Sequence, residues 1–448
     1  MRMKIAFITH HFPPHFIAGA EQYAYRVVRE LQRQGHSIQV ICIESIEGVN
    51  SKIECRTEEF DTITVHRLHL NVRNAANPFR WSFRNPQLGI WIKRFLHRYR
   101  PDLVHYNSGY LLGGPVFEAA FDLNLPTVLS LHDFWFICPL ITLYRTDGIV
   151  CAEPVPPVRC VWCMFSTKRR VRILGQRLSA QLGEAFVNFE NFRFVTSIGQ
   201  EEYSIQLIEE RRAYLKSILE RINLVIAPSH FLMDKVKEYG LAFRQFVYLP
   251  FGLDLEQIQS SFSPAPSSRL RIGYLGQFVP HKGLRVLLFA FRELIKRGYP
   301  AELSLYGDIT GKTDYERKVL RIARRITGVK FMGRYDNRQV GEILKGLDVI
   351  VVPSRWYENR PTVILEAFAS QIPVVAARIG GIPELVDHDQ NGLLFEPHAV
   401  NSLTAQLQRL FDEPGLLSRL KQGIMPVMSV EEEVTQLVSL YQTLLPEK

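Results

Sequence analysis

The sequence predicts an α/β fold of two doubly wound domains, each a mostly parallel sheet with helices on both faces. Three observations carry this. Strand-like apolar runs alternate with helix-like segments, the strands are apolar at consecutive rather than alternate positions, and the alternation restarts after a Ser/Pro-rich stretch. Continuously apolar strands are what a parallel sheet covered on both faces requires.

In order, MKIAFITH reads as the first strand and HFPPHFIAGAEQ as a Pro/Gly loop. A helix follows from about Glu21 to Gln34, with Tyr23, Val27 and Leu31 on one side and Gly35 as its stop. SIQVICIE, TITVHRL, DLVHYN and TVLSLHD are the next strands, with the apolar helix PVFEAAFDL before the last. A Cys-, Pro- and Arg-rich insertion over residues 138–200 breaks the rhythm, and a polar helix near 200–221 leads into NLVIAPS. SSFSPAPSS (260–268) reads as an interdomain linker. Beyond it come RLRIGYLG, a helix from Gly283, AELSLYG, a helix over 314–327, VKFMG, LDVIVVPS, PVVAA and GLLFEP. The expected domains are 1–259 and 269–430, with 431–448 as a helix packing back on the first.

The 448 residues are 46% hydrophobic and 22% charged, an ordinary globular composition with room for two or three domains. No apolar run approaches the roughly 18 residues that span a bilayer, and the start is too short in apolar residues for a signal peptide. A cytoplasmic protein is expected. The net charge of +9 is uneven. Residues 62–101 hold eight Lys/Arg and no acid, residues 154–183 hold six and no acid, and the remainder is net acidic. Such segments suit phosphate-bearing lipids, nucleic acid or acidic glycans.

Four of the six cysteines, Cys138, Cys151, Cys160 and Cys163, fall within 26 positions, in the pattern C-x12-C-x8-C-x2-C. They read either as the four thiolate ligands of a structural zinc or as loose buried thiols.

The chemistry concentrates in a few loops. ENRPTVILEAF (358–368) sets Glu358 in a loop and Glu366 one turn inside a helix, with Pro361 suited to that helix's first turn. Thr362 and Glu366 are four apart and share a face, so an anion held at the helix start would have its attached ribose near Glu366. GYLGQFVPHKG (273–283) brings Gly276 and then Lys282 to the start of another helix. A cation there opposes the helix dipole unless an anion is bound, whereas a solvated loop lysine is the plain alternative. Gly19 sits at the first loop-to-helix transition and His132 at the end of a buried strand. LYGDITGKT imitates a P-loop but has one residue too few between its glycines.

In order, AGAEQY, LQRQGHSIQVI, PDLVH, LSLHD, APSHF, LPFGLD, LGQFVPHKG, and PSRWYENRPTVILEAFASQIPVVAARIGGIPELV with NGLLFEP resemble the retaining nucleotide-sugar glycosyltransferases of family 4. HDFWFICP and the cysteine-rich insertion look like one sub-branch. The resemblance implies the GT-B fold, two Rossmann-like domains facing each other across a cleft. It implies that Glu366 binds the donor ribose, and that Lys282, the Thr362 and Val363 N–H groups, Gly276, Gln277 and Gly19 hold the diphosphate. Glu358, Asn359, Arg360, Pro361 and His132 would meet the transferred sugar, making His132, Lys282 and Glu358 the catalytic set. It implies no cofactor for the chemistry. Gln277 stands where the family often has Arg, and Ala18 where it often has a first Gly.

The function expected is sugar transfer from a nucleotide diphosphate sugar to a lipid-linked or glycan acceptor in cell-envelope or exopolysaccharide synthesis. The protein would sit peripherally on the anionic inner face of the cytoplasmic membrane. Two alternatives stand beside it: a same-fold epimerase or phosphorylase, and a nucleic-acid-binding module using the aromatics of the first basic segment. The second leaves Lys282 and the acid pair unexplained, so no nucleic acid is expected.

Overall fold

The computed structural model describes residues 2–48, 52–168, 203–258, 267–336 and 339–446, with residue 185. The chain forms two units, one of Met1–Phe251 with Val430–Lys448 and one of Gly252–Ser429. Most of the linker stretch lies outside the described residues, and the units divide at Phe251, ahead of it.

The first unit holds β1 (Lys4–Thr9), β2 (Ser37–Ser45), β3 (Glu54–Phe60), β4 (Ile63–His69), β5 (Leu103–Asn107), β6 (Thr127–Ser130), β7 (Leu224–Ala227) and β8 (Phe246–Tyr248). Their order is β3-β4-β2-β1-β5-β6-β7-β8, parallel throughout except for β3 against β4. The order reverses between β1 and β5, which opens a crevice at their carboxyl ends. The apolar runs became strands as expected. Sequence reading missed β3, whose ECRTEEF is polar and largely exposed at the sheet edge, and β8, only three residues long.

Its helices are α1 (Gly19–Arg33), α2 (Pro78–Phe83), α3 (Pro86–Tyr99), α4 (Gly114–Phe121), α5 (Pro157–Phe165), α6 (Ile205–Leu219) and α7 (His230–Glu238). Cys160 and Cys163 lie on α5; residues 169–184 and 186–200 of the insertion are outside the described residues. The second unit adds α8 (Leu255–Ile258), α9 (Leu284–Lys296), α10 (Asp314–Ala323), α11 (Val340–Lys345), α12 (Thr362–Ala369), α13 (Val400–Asp412) and α14 (Leu416–Gln422). The last helix, α15 (Val430–Gln442), belongs to the first unit. Its Val434, Leu437 and Tyr441 are fully buried, each stabilising by about 1.5–3 kcal/mol, and its Tyr441 hydroxyl bonds to His105 Nδ1.

The second unit's strands are β9 (Leu270–Leu275), β10 (Ala301–Tyr306), β11 (Val329–Gly333), β12 (Val349–Val352), β13 (Val374–Ala377) and β14 (Gly392–Phe395). They are all parallel, in the order β11-β10-β9-β12-β13-β14. That is the dinucleotide-binding strand order, and its switch point lies between β9 and β12.

The first basic segment is not the uncompensated surface its sequence suggests. Arg67 is 1% exposed and bonds Glu58, Glu44 and the Phe12 and Pro13 carbonyls, bracing the loop after β1. Arg73 pairs with Glu47, Arg80 and Arg84 with Glu210, and Lys93 with Asp122. The acids all lie outside the acid-free stretch, so the stretch by itself could not reveal them. The aromatics are packed too: Phe79 and Phe83 are buried and Trp91 stacks on Phe95, unlike a display of stacking platforms for bases. Among the described residues no helix is long and apolar enough to cross a membrane.

Candidate active site

In the second unit, the loops after β9 and β12 flank the switch point, and they are joined. Gly283, at φ 73°, closes the turn Pro280–Lys282; a Cβ there would lie 1.7 Å from the Pro353 carbonyl oxygen, so only glycine lets the loops touch. The Arg355 N–H donates to the His281 carbonyl at 2.8 Å, a second tie. The contact carries Lys282 to Glu358. Lys282 Nζ donates to Glu358 Oε1 at 2.8 Å, and Ser354 Oγ (2.7 Å) and Trp356 Nε1 (2.8 Å) donate to the same oxygen.

Glu358 is only 7% exposed. Burial alone would raise its pKa, but the Lys282 charge and the three hydrogen bonds outweigh it and hold the carboxyl below the usual range. It is therefore a buried carboxylate whose Oε2 receives no bond from a described residue. The Lys282 ammonium lies 5.1 Å from the Trp356 ring centre, and the His281 ring 4.6 Å from it. Burial and the Lys282 charge push His281 down to about 4. Gly380 and Gly381 hold Glu358 from behind, the Gly381 N–H donating to the Glu358 carbonyl at 2.6 Å.

Pro361 is the N-cap of α12 rather than a residue of its first turn, and no side chain caps the helix. The Thr362 and Val363 N–H groups at its start thus have neither intrahelical nor side-chain partners, an arrangement that suits an anion. Glu366 is half-buried one turn below Thr362. Its charge reaches Tyr335, beyond β11, whose phenol is pushed up by burial first and by Glu366 second. Gly276 follows β9 and Gln277 is exposed beside it; Asn359 and Arg360 are half-buried next to Glu358. The structure thus gathers Lys282, Glu358, Thr362, Val363 and Glu366 along one sheet edge. Sequence reading missed Ser354, Trp356 and His281, though a tryptophan two positions before an acid in a loop was a signal.

In the first unit, His132 lies beyond β6 and its Nε2–H donates to Asn107 Oδ1. Asn107 Nδ2 in turn donates to Thr9 Oγ1 and the Ala20 carbonyl, both at 3.3 Å. The His132 ring packs on Tyr23 (4.6 Å) and stacks on Phe251 (5.1 Å). Burial pushes it down to about 3, so it is neutral at physiological pH. Asp133 accepts from Ser108 Oγ at 2.9 Å and the Trp135 N–H at 2.8 Å. Gly19 is the first residue of α1, and a Cβ there would meet nothing within 4 Å, so it leaves open space. Asn107, Asp133, His10 and Glu21 in this unit were not singled out from sequence.

Cys138, Cys151, Cys160 and Cys163 are unpaired thiols. Burial raises all four, pushing Cys151 and Cys163 up to about 12, while Arg212 donates to Cys160 Sγ at 3.3 Å. Among the described residues no group of three or more His, Cys, Asp or Glu side chains is placed to hold a metal ion.

Residues 17–151 match the Glycosyltransferase Family 4 model and residues 269–413 the Glycosyl transferases group 1 model. A GDP-mannose-dependent monoacylated alpha-(1-6)-phosphatidylinositol monomannoside mannosyltransferase of Corynebacterium glutamicum is 26% identical over 243 residues, 50% of this chain and 61% of that protein. A putative teichuronic acid biosynthesis glycosyltransferase of Bacillus subtilis is 28% identical over 42% of this chain and 46% of its own. The chain spans about half the length of the curated relatives it matches.

Of solved structures, a sucrose-phosphate synthase from Thermosynechococcus elongatus aligns with a TM-score of 0.66 at 18% identity, covering 99% of both chains. Anabaena HepE, solved with UDP-glucose, aligns with a TM-score of 0.61 at 18% identity, covering 99% of this chain and 98% of its own. The chain has the GT-B fold, with a Glycosyltransferase Family 4 region in its first unit and a Glycosyl transferases group 1 region in its second.

Proposed function

We propose that the protein is a retaining glycosyltransferase that moves a sugar from a nucleotide diphosphate sugar to a hydroxyl of a lipid-linked or growing-glycan acceptor. The observation that carries this is the Lys282–Glu358 pair at the switch point, on the same sheet edge as the uncapped start of α12. Glu366 takes the ribose hydroxyls. Lys282 and the Thr362 and Val363 N–H groups take the diphosphate, with the Gly276–Gln277 backbone beside them. Glu358 Oε2, with Asn359 and Arg360 next to it, takes hydroxyls of the transferred sugar. His132 and Gly19 of the first unit keep the roles the resemblance implies.

The chemistry follows from charge. As the bond from the anomeric carbon to the diphosphate oxygen breaks, positive charge grows on the sugar ring and negative charge on the leaving oxygen. Lys282 and the helix N–H groups oppose the second, which lowers the barrier because they act most strongly in the transition state. Lys282 is held by the residue that holds the sugar, so it is placed before the charge develops. The acceptor classes draw on the names of the two curated relatives, one acting on a phosphatidylinositol mannoside and one named for teichuronic acid biosynthesis.

Attachment to an anionic membrane surface is part of the proposal. It rests on the exposed face of α3, where Ile90 stands 55% exposed beside Arg94 and Arg98.

A thermal-shift panel of UDP, GDP, ADP and their sugars is the direct test, since a ligand stabilises the state it binds. At least one nucleotide should raise Tm. A panel without any shift would sink the transferase reading. Turnover of a donor sugar that requires inorganic phosphate, or sugar inversion without any acceptor, would favour the phosphorylase or epimerase alternatives.

A further inference from the structure

The crevice between β1 and β5 is the switch point of the first unit, the place where an open α/β sheet takes a ligand. His10 follows β1, and Glu21 lies in the first turn of α1. The imidazole and the carboxylate are bonded, His10 Nε2 to Glu21 Oε1 at 3.1 Å, with side chains only 9% and 8% exposed. Each keeps a second polar atom that is buried and has no partner: His10 Nδ1 and Glu21 Oε2. An unpaired buried polar atom is costly, and here two sit on one bonded pair.

Burial would raise the Glu21 carboxyl, but its hydrogen bond to His10 and the His10 charge bring it below the usual range, so Oε2 is a carboxylate oxygen. Nε2 gives its hydrogen to Glu21, and Nδ1 is a lone-pair acceptor in the neutral ring and an N–H donor in the imidazolium. Glu21 Oε2 accepts a hydrogen bond, and His10 Nδ1 exchanges one as acceptor or donor with its protonation. Asp133, whose carboxyl burial raises, adds a second acid to the same edge. A phosphate or carboxylate would meet like charge there. A neutral polyol suits both atoms, because one hydroxyl donates to Oε2 and another donates to or accepts from Nδ1.

We propose that His10 and Glu21 form a hydroxyl-binding subsite of the first unit that takes a neutral sugar through two of its hydroxyl groups. Resting on the transferase reading, this sugar is the acceptor's. The pair thereby selects an acceptor whose receiving end is an uncharged glycosyl unit, and it rejects one that presents a phosphate.

The test is ligand-observed NMR on the full chain with the methyl α-glycosides of glucose, galactose and mannose, and with glucose 6-phosphate as the anionic counterpart. At least one methyl glycoside should bind, more tightly than the phosphorylated sugar. Glu21→Gln and His10→Gln should each weaken it about tenfold or more. Their thermal shift with nucleotide should stay as in the parent chain, which also shows that they fold. Absence of glycoside binding, tighter binding of glucose 6-phosphate, or unchanged glycoside binding in both variants overturns the subsite. The comparison of neutral with phosphorylated sugar needs no variant, so it stands even where a substitution unfolds the protein. Glycoside binding without any nucleotide binding would keep the subsite and sink the transferase reading instead.

Discussion

Lys282 and Glu358, 76 positions apart, meet at a single carboxylate oxygen at 2.8 Å, and Ser354 and Trp356 donate to that same oxygen. The second oxygen of Glu358 receives no bond from a described residue, and in the proposed reaction it takes a sugar hydroxyl while the ammonium meets the leaving group. This pairing sets the first expectation. Lys282→Ala should lower turnover more than donor affinity, by about 1.5–3 kcal/mol or one to two decades. It should also move the acid limb of the pH–rate profile upward. Lys282 depresses the Glu358 pKa, and without it burial raises the carboxyl, so protonation sets in at higher pH. Steady-state kinetics across pH check both, and an unchanged profile with unchanged turnover counts against the pair.

Glu366→Ala should weaken donor binding while leaving the melting temperature of the free protein nearly unchanged, because Glu366 is half-buried and not part of the core. The expected loss is again about one to two decades in Kd, from removing charge-assisted hydrogen bonds. Isothermal titration with whichever nucleotide the thermal-shift panel selects measures it. Parent-like affinity in the variant would remove Glu366 from the site.

Two glycines separate crowding from backbone strain. Gly283→Ala places a Cβ 1.7 Å from the Pro353 oxygen at φ 73°, and should cost about 2–4 kcal/mol together with the loss of activity. Gly298→Ala, at φ 86° with nothing within 4 Å, should cost only about 1–2 kcal/mol and spare activity. Chemical denaturation of both variants gives the comparison. Equal losses would mean that the contact between the two loops is not the constraint.

The cysteines divide by burial. Cys55 is exposed and should react with a thiol reagent in the native protein. Cys138, Cys151, Cys160 and Cys163, with burial raising each, should react slowly until the chain unfolds. Counting thiols before and after denaturant tests this. Stoichiometric zinc in elemental analysis of the purified protein would show instead that the four thiols close around a metal.

Binding to liposomes should be weak and salt-sensitive, since only part of the first basic segment is left without a paired acid. Arg94→Glu with Arg98→Glu should abolish it, whereas Arg80→Glu, which removes a cation already paired with Glu210, should matter less. Co-sedimentation with anionic vesicles at rising salt decides. Equal effects of the two changes would remove α3 as the contact face.

Local pattern alone established much of this protein. Buried parallel strands show as continuous apolar runs, so β1, β2, β4–β7 and the strands of the second unit were legible, whereas the polar edge strand β3 was not. Helix periodicity placed Thr362 and Glu366 on one face, and the cost of a cation at a helix start singled out Lys282. What the sequence could not contain was who meets whom across a crossover. Strand order sets β12 beside β9 and β5 beside β1, and only that order brings Lys282 to Glu358 and gathers His10 and Glu21 with Asn107. The same holds for charge: an acid-free stretch looked uncompensated because Glu44, Glu47, Glu58, Glu210 and Asp122 arrive from elsewhere. Burial is written in short-range periodicity, because each residue faces in or out according to its own element. Partnership is decided by how the elements pack, because electrostatic and hydrogen-bond contacts act over a few ångströms in space and not along the chain.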